Sequence, residues 1–183
     1  MIQNTTISDS ELVNRCKDGD ENAFSALYNR HAKVVYNSIY RIVGHEDESE
    51  DILQESFVSA FQQIGKFDNS SLFGAWVKRI GINKAISNLR KNKVSFLELK
   101  ETYQPESEEQ IDEFEFEFKV EEVKKAIVQL PRGYRTIVTL HLIEDIPQEE
   151  IGKILGISHV TVRSQYHRAK NTILKYLKHS NNE

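Results

Sequence analysis

The sequence predicts an all-α fold: two small helical domains joined by an acidic flexible linker, the C-terminal one a helix-turn-helix. Three observations carry that expectation. Apolar residues recur at helical spacing along most of the chain, and strand-like alternation is confined to the short, heavily charged FEFEF at 114–118. Breakers are scarce, with three prolines and eight glycines in 183 residues, while the helix formers Leu, Glu and Lys are abundant. Charge is segregated: the net −4 divides into −6 for residues 1–65, +6 for 66–95, −9 for 96–122 and +5 for 123–183.

Each element follows in order. Ser8 or Ser10 suits the cap of a short helix that Gly19 ends. Asp20 suits the cap of a second, with Phe24, Tyr28, Val35, Ile39 and Ile42 on its inner face and Gly44 at its C-terminus. A third runs from about Asp47 to Gly65, with Leu53, Phe57, Ala60, Phe61 and Ile64 inward. The fourth begins near Ser70 or Ser71 and reaches about Asn92. These make a domain over residues 1–93. Residues 94–118 are acidic, contain Pro105 and read as a linker that is disordered when free. A second domain, 119–183, holds helices over about 119–130, 132–144, Pro147 to Leu155 and Ser158 to about Leu177, with Pro131 as a stop.

Composition excludes some functions. No apolar run approaches the roughly 18 residues of a membrane span, so no membrane insertion is expected. The N-terminal MIQNTTISDSELVNRC lacks a basic region followed by an apolar one, which is unlike a signal peptide. Cys16 is the sole cysteine, so no internal disulfide is possible, and it reads as a small helical residue. A cytoplasmic protein is expected.

The segment EIGKILGISHVTVRSQYHRAK (150–170) has the marks of a helix-turn-helix. Ile151, Ile154 and Leu155 face inward, Gly156 allows the left-handed turn, Ile157 plugs the gap and Ser158 caps the second helix. Val162, Tyr166, Ala169 and Ile173 form its buried stripe. The far side carries Val160, Arg163, Ser164, His167, Arg168 and Asn171, which suits a DNA major groove better than plain solvation. His159 to Ser164, Thr161 included, are placed as base readers, and Arg168 and Lys170 as phosphate contacts. No acidic or cysteine partner completes a metal site around His159 and His167.

Two further patterns lie in the first domain. Asp47, Asp51, Gln54 and Glu55 share a face opposite the apolar stripe. They read as a solvated acidic face, as a polar contact onto a basic partner helix, or more weakly as a metal or acid–base site. Trp76, Arg79, Asn83, Ser87 and Arg90 form one line on the fourth helix, after the polar loop GKFDNSSLF. Basic and amide groups beside an aromatic suit a nucleic-acid backbone with unstacked bases, while Trp76 fits a core position equally well. Lys78, Lys84, Lys91 and Lys93 add to the basic surface.

Taken together, GDENAFSALYNRH (19–31), EDILQESFVSAF (50–61), FGAWVKRIGINKAISNLRK (73–91) and LPRGYRTIVTLHLIEDIPQEEIGKILGISHVTVRSQYHRAK (130–170) resemble a bacterial sigma factor of the short, extracytoplasmic-function type. The likeness spans roughly 8–93 and 119–178. It implies a promoter-specificity subunit with no enzymatic turnover and no cofactor, which directs core RNA polymerase to promoter DNA in a stress or envelope-signal response. Asp47, Asp51, Gln54 and Glu55, with Phe57 near them, would dock on the clamp helices of the polymerase's largest subunit; the polymerase flap is a further implied contact. Lys66 and Asn69 in the loop, with Trp76, Lys78, Arg79, Asn83, Arg90 and Lys91 behind it, would recognise and melt the −10 element. His159, Val160, Thr161, Arg163, Ser164, His167, Arg168 and Lys170 would read the −35 element. The acidic linker would thread toward the RNA exit path, and an anti-sigma protein is an implied partner. Ser87, His159, Val160, Arg163 and Gln165 depart from the usual pattern, which leaves the promoter sequence open. Two other readings are weighed against this one: a dimeric helix-turn-helix regulator, and a metal-dependent enzyme built on Asp47, Asp51 and Glu55.

Overall fold

A computed structural model describes residues 7–68, 72–91 and 120–180, with residues 179 and 180 described by their backbone alone. The chain divides into two compact units, Met1–Ser87 and Asn88–Glu183. The division therefore falls inside the last turns of the fourth helix. Every regular element among the described residues is helical. The expected linker, with FEFEF, lies outside the described residues.

In the first unit α1 is Asp9–Lys17, α2 Glu21–Val43, α3 Glu46–Gln62 and α4 Phe73–Lys91, with a 3-10 turn at Ile64–Lys66 after α3. Ser8 Oγ accepts from the Glu11 N–H, so it is the cap of α1. Asp20 caps α2 by accepting from the N–H groups of Asn22 and Ala23. Gly44 closes that helix at φ 75°, a conformation costly for any residue with a Cβ. The start of α4 is later than expected, at Phe73, and its proposed serine caps lie outside the described residues.

Helices α2 and α3 pack antiparallel, with Phe24 against Phe61 and Tyr28 against Phe57 at ring separations of 4.7 and 4.8 Å. Helix α4 runs along α2 in the same direction, and two glycines seven residues apart make the approach possible. A Cβ on Gly81 would stand 3.0 Å from Ile39 Cδ1, and one on Gly74 only 2.6 Å from His31 Nδ1. Leu27, Val35, Ile39, Ile42, Phe73 and Val77 form the fully buried centre.

In the second unit α5 is Val120–Gln129, α6 Arg132–Val138, α7 Gln148–Leu155 and α8 His159–Ser180. The single helix expected over 132–144 is instead α6 followed by a π-helical turn, Thr139–Ile143. One residue more per turn re-phases the chain: Leu140 is buried while Leu142 is 56 % exposed. A pattern scored at 3.6 residues per turn does not register such an insertion. Pro147 sits just before α7, not within its first turn. Ala126, Ile127, Leu130, Tyr134, Val138, Ala169, Ile173 and Leu177 pack together as one core, with α8 as its spine.

Candidate nucleic-acid and protein interfaces

The turn between α7 and α8 follows from three local features. Gly156 takes φ 69° and its N–H returns to the Gly152 carbonyl. The Ile157 N–H bonds the same carbonyl at 3.0 Å. Ser158 Oγ accepts from the Thr161 N–H at 3.1 Å and pairs with its hydroxyl at 2.8 Å. Thr161 is thereby half-buried in the cap, with its hydroxyl turned toward Ser158 rather than free.

Helix α8 then displays what the periodicity predicts. Val162, Ala169 and Ile173 are buried, and His159, Val160, Arg163, Ser164, His167 and Lys170 are exposed, with Arg168 half-buried. Asn171 Nδ2 lies 3.4 Å from His167 Nε2, one turn along the same face. Gln165, by contrast, is only 4 % exposed and faces the unit's interior. The first turn of α8 carries no acidic residue, and neither does that of α4 or α6. Helices α1, α2, α3, α5 and α7 all place acids there. Acids near a helix N-terminus complement its positive end, and α4, α6 and α8 have none in the first turn.

On α4, Arg79, Asn83, Ser87 and Arg90 are exposed along one line and Lys91 is exposed beside it, as the spacing requires. Lys66 is exposed on the 3-10 turn, Lys78 is half-buried and Asn69 lies outside the described residues. Trp76 is half-buried, its ring 4.9 Å from Phe67 and 5.9 Å from Phe73 in an aromatic cluster. Leu72, just before α4, is 79 % exposed.

That cluster has a foundation no local pattern announces. Lys17 Nζ donates to the Phe67 carbonyl at 2.7 Å, across 50 residues of sequence. His31 packs on Phe73 at 5.6 Å and shares a hydrogen bond of 2.8 Å with Asp9. Arg30 also pairs with Asp9. Helix α1 therefore ties down both the entry to the loop and the start of α4.

On α3, Asp47, Asp51, Gln54 and Glu55 are exposed on one face. Phe57 is not part of that surface: it is 2 % exposed and packs against Tyr28 and Phe61. Position 57 falls on the buried stripe of α3, where the periodicity puts it, beneath the face that carries the carboxylates. Val58, 54 % exposed, instead lies one turn beyond Gln54 and Glu55. Lys84 of α4 reaches Glu55 at 3.3 Å, and both groups are solvated, so the pair contributes little. Burial first, and the nearby Glu46 and Glu50 next, push the Tyr36 phenol upward. Among the described residues no three His, Cys, Asp or Glu side chains converge as metal ligands. No helix of the described residues is long and apolar enough to cross a membrane.

Comparison with known proteins adds to this geometry. Residues 27–94 match the family described as Sigma-70 region 2, and residues 120–173 match Sigma-70, region 4. The chain is 32 % identical to the RNA polymerase sigma-H factor of Pseudomonas aeruginosa, over 94 % of this chain and 95 % of that one. It is 30 % identical to the ECF RNA polymerase sigma-E factor of Haemophilus influenzae, over 91 % and 94 %. Among solved structures it is similar to CnrH in complex with the cytosolic domain of CnrY, with TM-score 0.51 and 25 % identity over 93 % of this chain and 97 % of that one.

Proposed function

Because the chain belongs to the extracytoplasmic-function RNA polymerase sigma factors, we propose that its two units divide promoter recognition between them. It directs core RNA polymerase to specific promoters and initiates transcription, in a stress or envelope-signal response. It works in the cytoplasm, by binding, and turns over no substrate.

In this reading α3 docks on polymerase through Asp47, Asp51, Gln54 and Glu55, which seat against basic clamp helices. Phe57 supports that face from beneath. Lys66, Asn69, Trp76, Lys78, Arg79, Asn83, Arg90 and Lys91 take the −10 element. There the basic side chains hold phosphate, and the half-buried Trp76 ring suits stacking by an unpaired base. Helix α8 reads the −35 element, with His159, Val160, Arg163 and Ser164 nearest the bases and His167, Arg168 and Lys170 nearer the backbone. The acidic linker follows the path of nucleic acid through the polymerase. CnrH forms a complex with the cytosolic domain of CnrY, and an anti-sigma partner fits this chain.

One observation carries the reading. An acid-free recognition helix and a separate acidic face lie on different units of one chain. The test is transcription from a promoter library with core polymerase plus the full chain. Specific starts and co-elution with core are expected; failure of both sinks the proposal. Net charge −4 opposes phosphate, so the isolated chain is expected to bind promoter DNA weakly. Tight, sequence-specific binding by the chain alone, with a dimer footprint on a palindrome, would instead favour an independent regulator.

A further inference from the structure

Val160 is an aliphatic residue of α8 that the fold leaves in water. It is 76 % exposed, whereas Val162, Ala169, Ile173 and Leu177 on the same helix are buried. Single exposed aliphatics are ordinary on protein surfaces, so exposure alone means little. Position gives it meaning. Val160 is the second residue of α8, and Arg163, Ser164 and His167, exposed at +3, +4 and +7, continue its stripe. A recognition helix presents its first turn deepest in the major groove. An isopropyl group makes no hydrogen bond there and gains only where it meets another apolar group. Of the groups on base edges in that groove, the methyl group is the C5-methyl of thymine.

We infer that Val160 is a specificity-determining residue that reads a thymine C5-methyl in the −35 element. The inference rests on the sigma-factor reading and adds the chemistry of one base position to it. Arg163 and Ser164 supply hydrogen bonds to neighbouring base edges or phosphates; Val160 supplies discrimination by apolar contact.

The test removes one methyl at a time from the DNA. The full chain and core polymerase first select promoters from a library randomised across the −35 element. The winners are then synthesised with uracil at each thymine, which deletes the methyl and leaves base pairing intact. At one position uracil is expected to lower open-complex formation about fourfold for the wild type, the worth of one buried methyl-sized group. The same replacement is expected to be neutral with Val160→Ala. Val160→Thr keeps one methyl and retains part of the sensitivity. Uracil effects identical in wild type and Val160→Ala, or winners with no thymine sensitive to it, overturn this inference alone. If no library member supports a start, the sigma-factor reading itself fails, and this inference with it.

Discussion

Gly152 is a residue whose side chain is excluded by backbone. A Cβ there would stand 2.9 Å from the Ile157 carbonyl oxygen, in the turn that sets α8 across α7. Backbone gives way less readily than a flexible side chain, so Gly152→Ala is expected to destabilise the second unit by about 1–3 kcal/mol. Urea denaturation followed by far-UV circular dichroism measures it; an unchanged midpoint would contradict the geometry. Cys16 makes a second case. Burial first, and the Asp20 carboxylate next, push its thiol up to about 11, with Arg15 opposing. A folded value above the unfolded one gives stability that is fully present below the unfolded value, near pH 9, and lost as pH rises toward about 11. Cys16→Ser is therefore expected to flatten the alkaline limb of stability against pH between those values. The buried thiol is also expected to react with thiol reagents only on unfolding. Asp20 acts at the acid end: its hydrogen bond from Arg15 holds its carboxyl below the usual range. Its contribution is present at neutral pH and lost as pH falls through that lowered value.

Helices α1, α2 and α4 form the platform under the proposed −10 surface, and its tightest point is Gly74 against His31. The ring that a Gly74 Cβ would strike is itself held by Asp9. Gly74→Ala is expected to displace His31, free Asp9 and loosen α1, at about 1–3 kcal/mol. Faster amide exchange in α1, with α8 unaffected, would be the mark of it. Unchanged exchange in α1 would show that the ring yields without cost. The α7–α8 pair behaves differently, because its caps and its glycine lie within about a dozen residues of one another. That pair is specified locally, whereas the platform is assembled from residues 9, 17, 31, 67 and 74.

At the scale of the whole molecule, opposite charges are sorted onto separate surfaces. Reversing Asp51 and Glu55 to lysine is expected to abolish association with core polymerase and leave the helical content unchanged. Reversing Arg163 and Arg168 to glutamate is expected to spare that association and remove promoter-specific starts. Gel filtration with core and in vitro transcription separate the two outcomes; the same defect from both pairs would refute the division of labour. These side chains are exposed or half-exposed, so neither reversal is expected to unfold its unit.

Much of this was readable from the sequence because its physics is short-range. Helix periodicity needs only a few turns, and the caps at Ser8, Asp20 and Ser158 and the left-handed glycines at 44 and 156 act on adjacent backbone. The exposed faces of α3, α4 and α8 followed from the same periodicity, which is why Asp51, Arg79 and Arg163 stand where spacing put them. Tertiary structure alone decided the rest. Packing sent Gln165 inward, half-covered Trp76 and inserted a π turn at Thr139–Ile143. It also brought Lys17 to the Phe67 carbonyl and Asp9 to His31, contacts between residues far apart along the chain. A one-dimensional pattern records how a helix divides its faces; which distant group each face meets is set only when the helices close on one another.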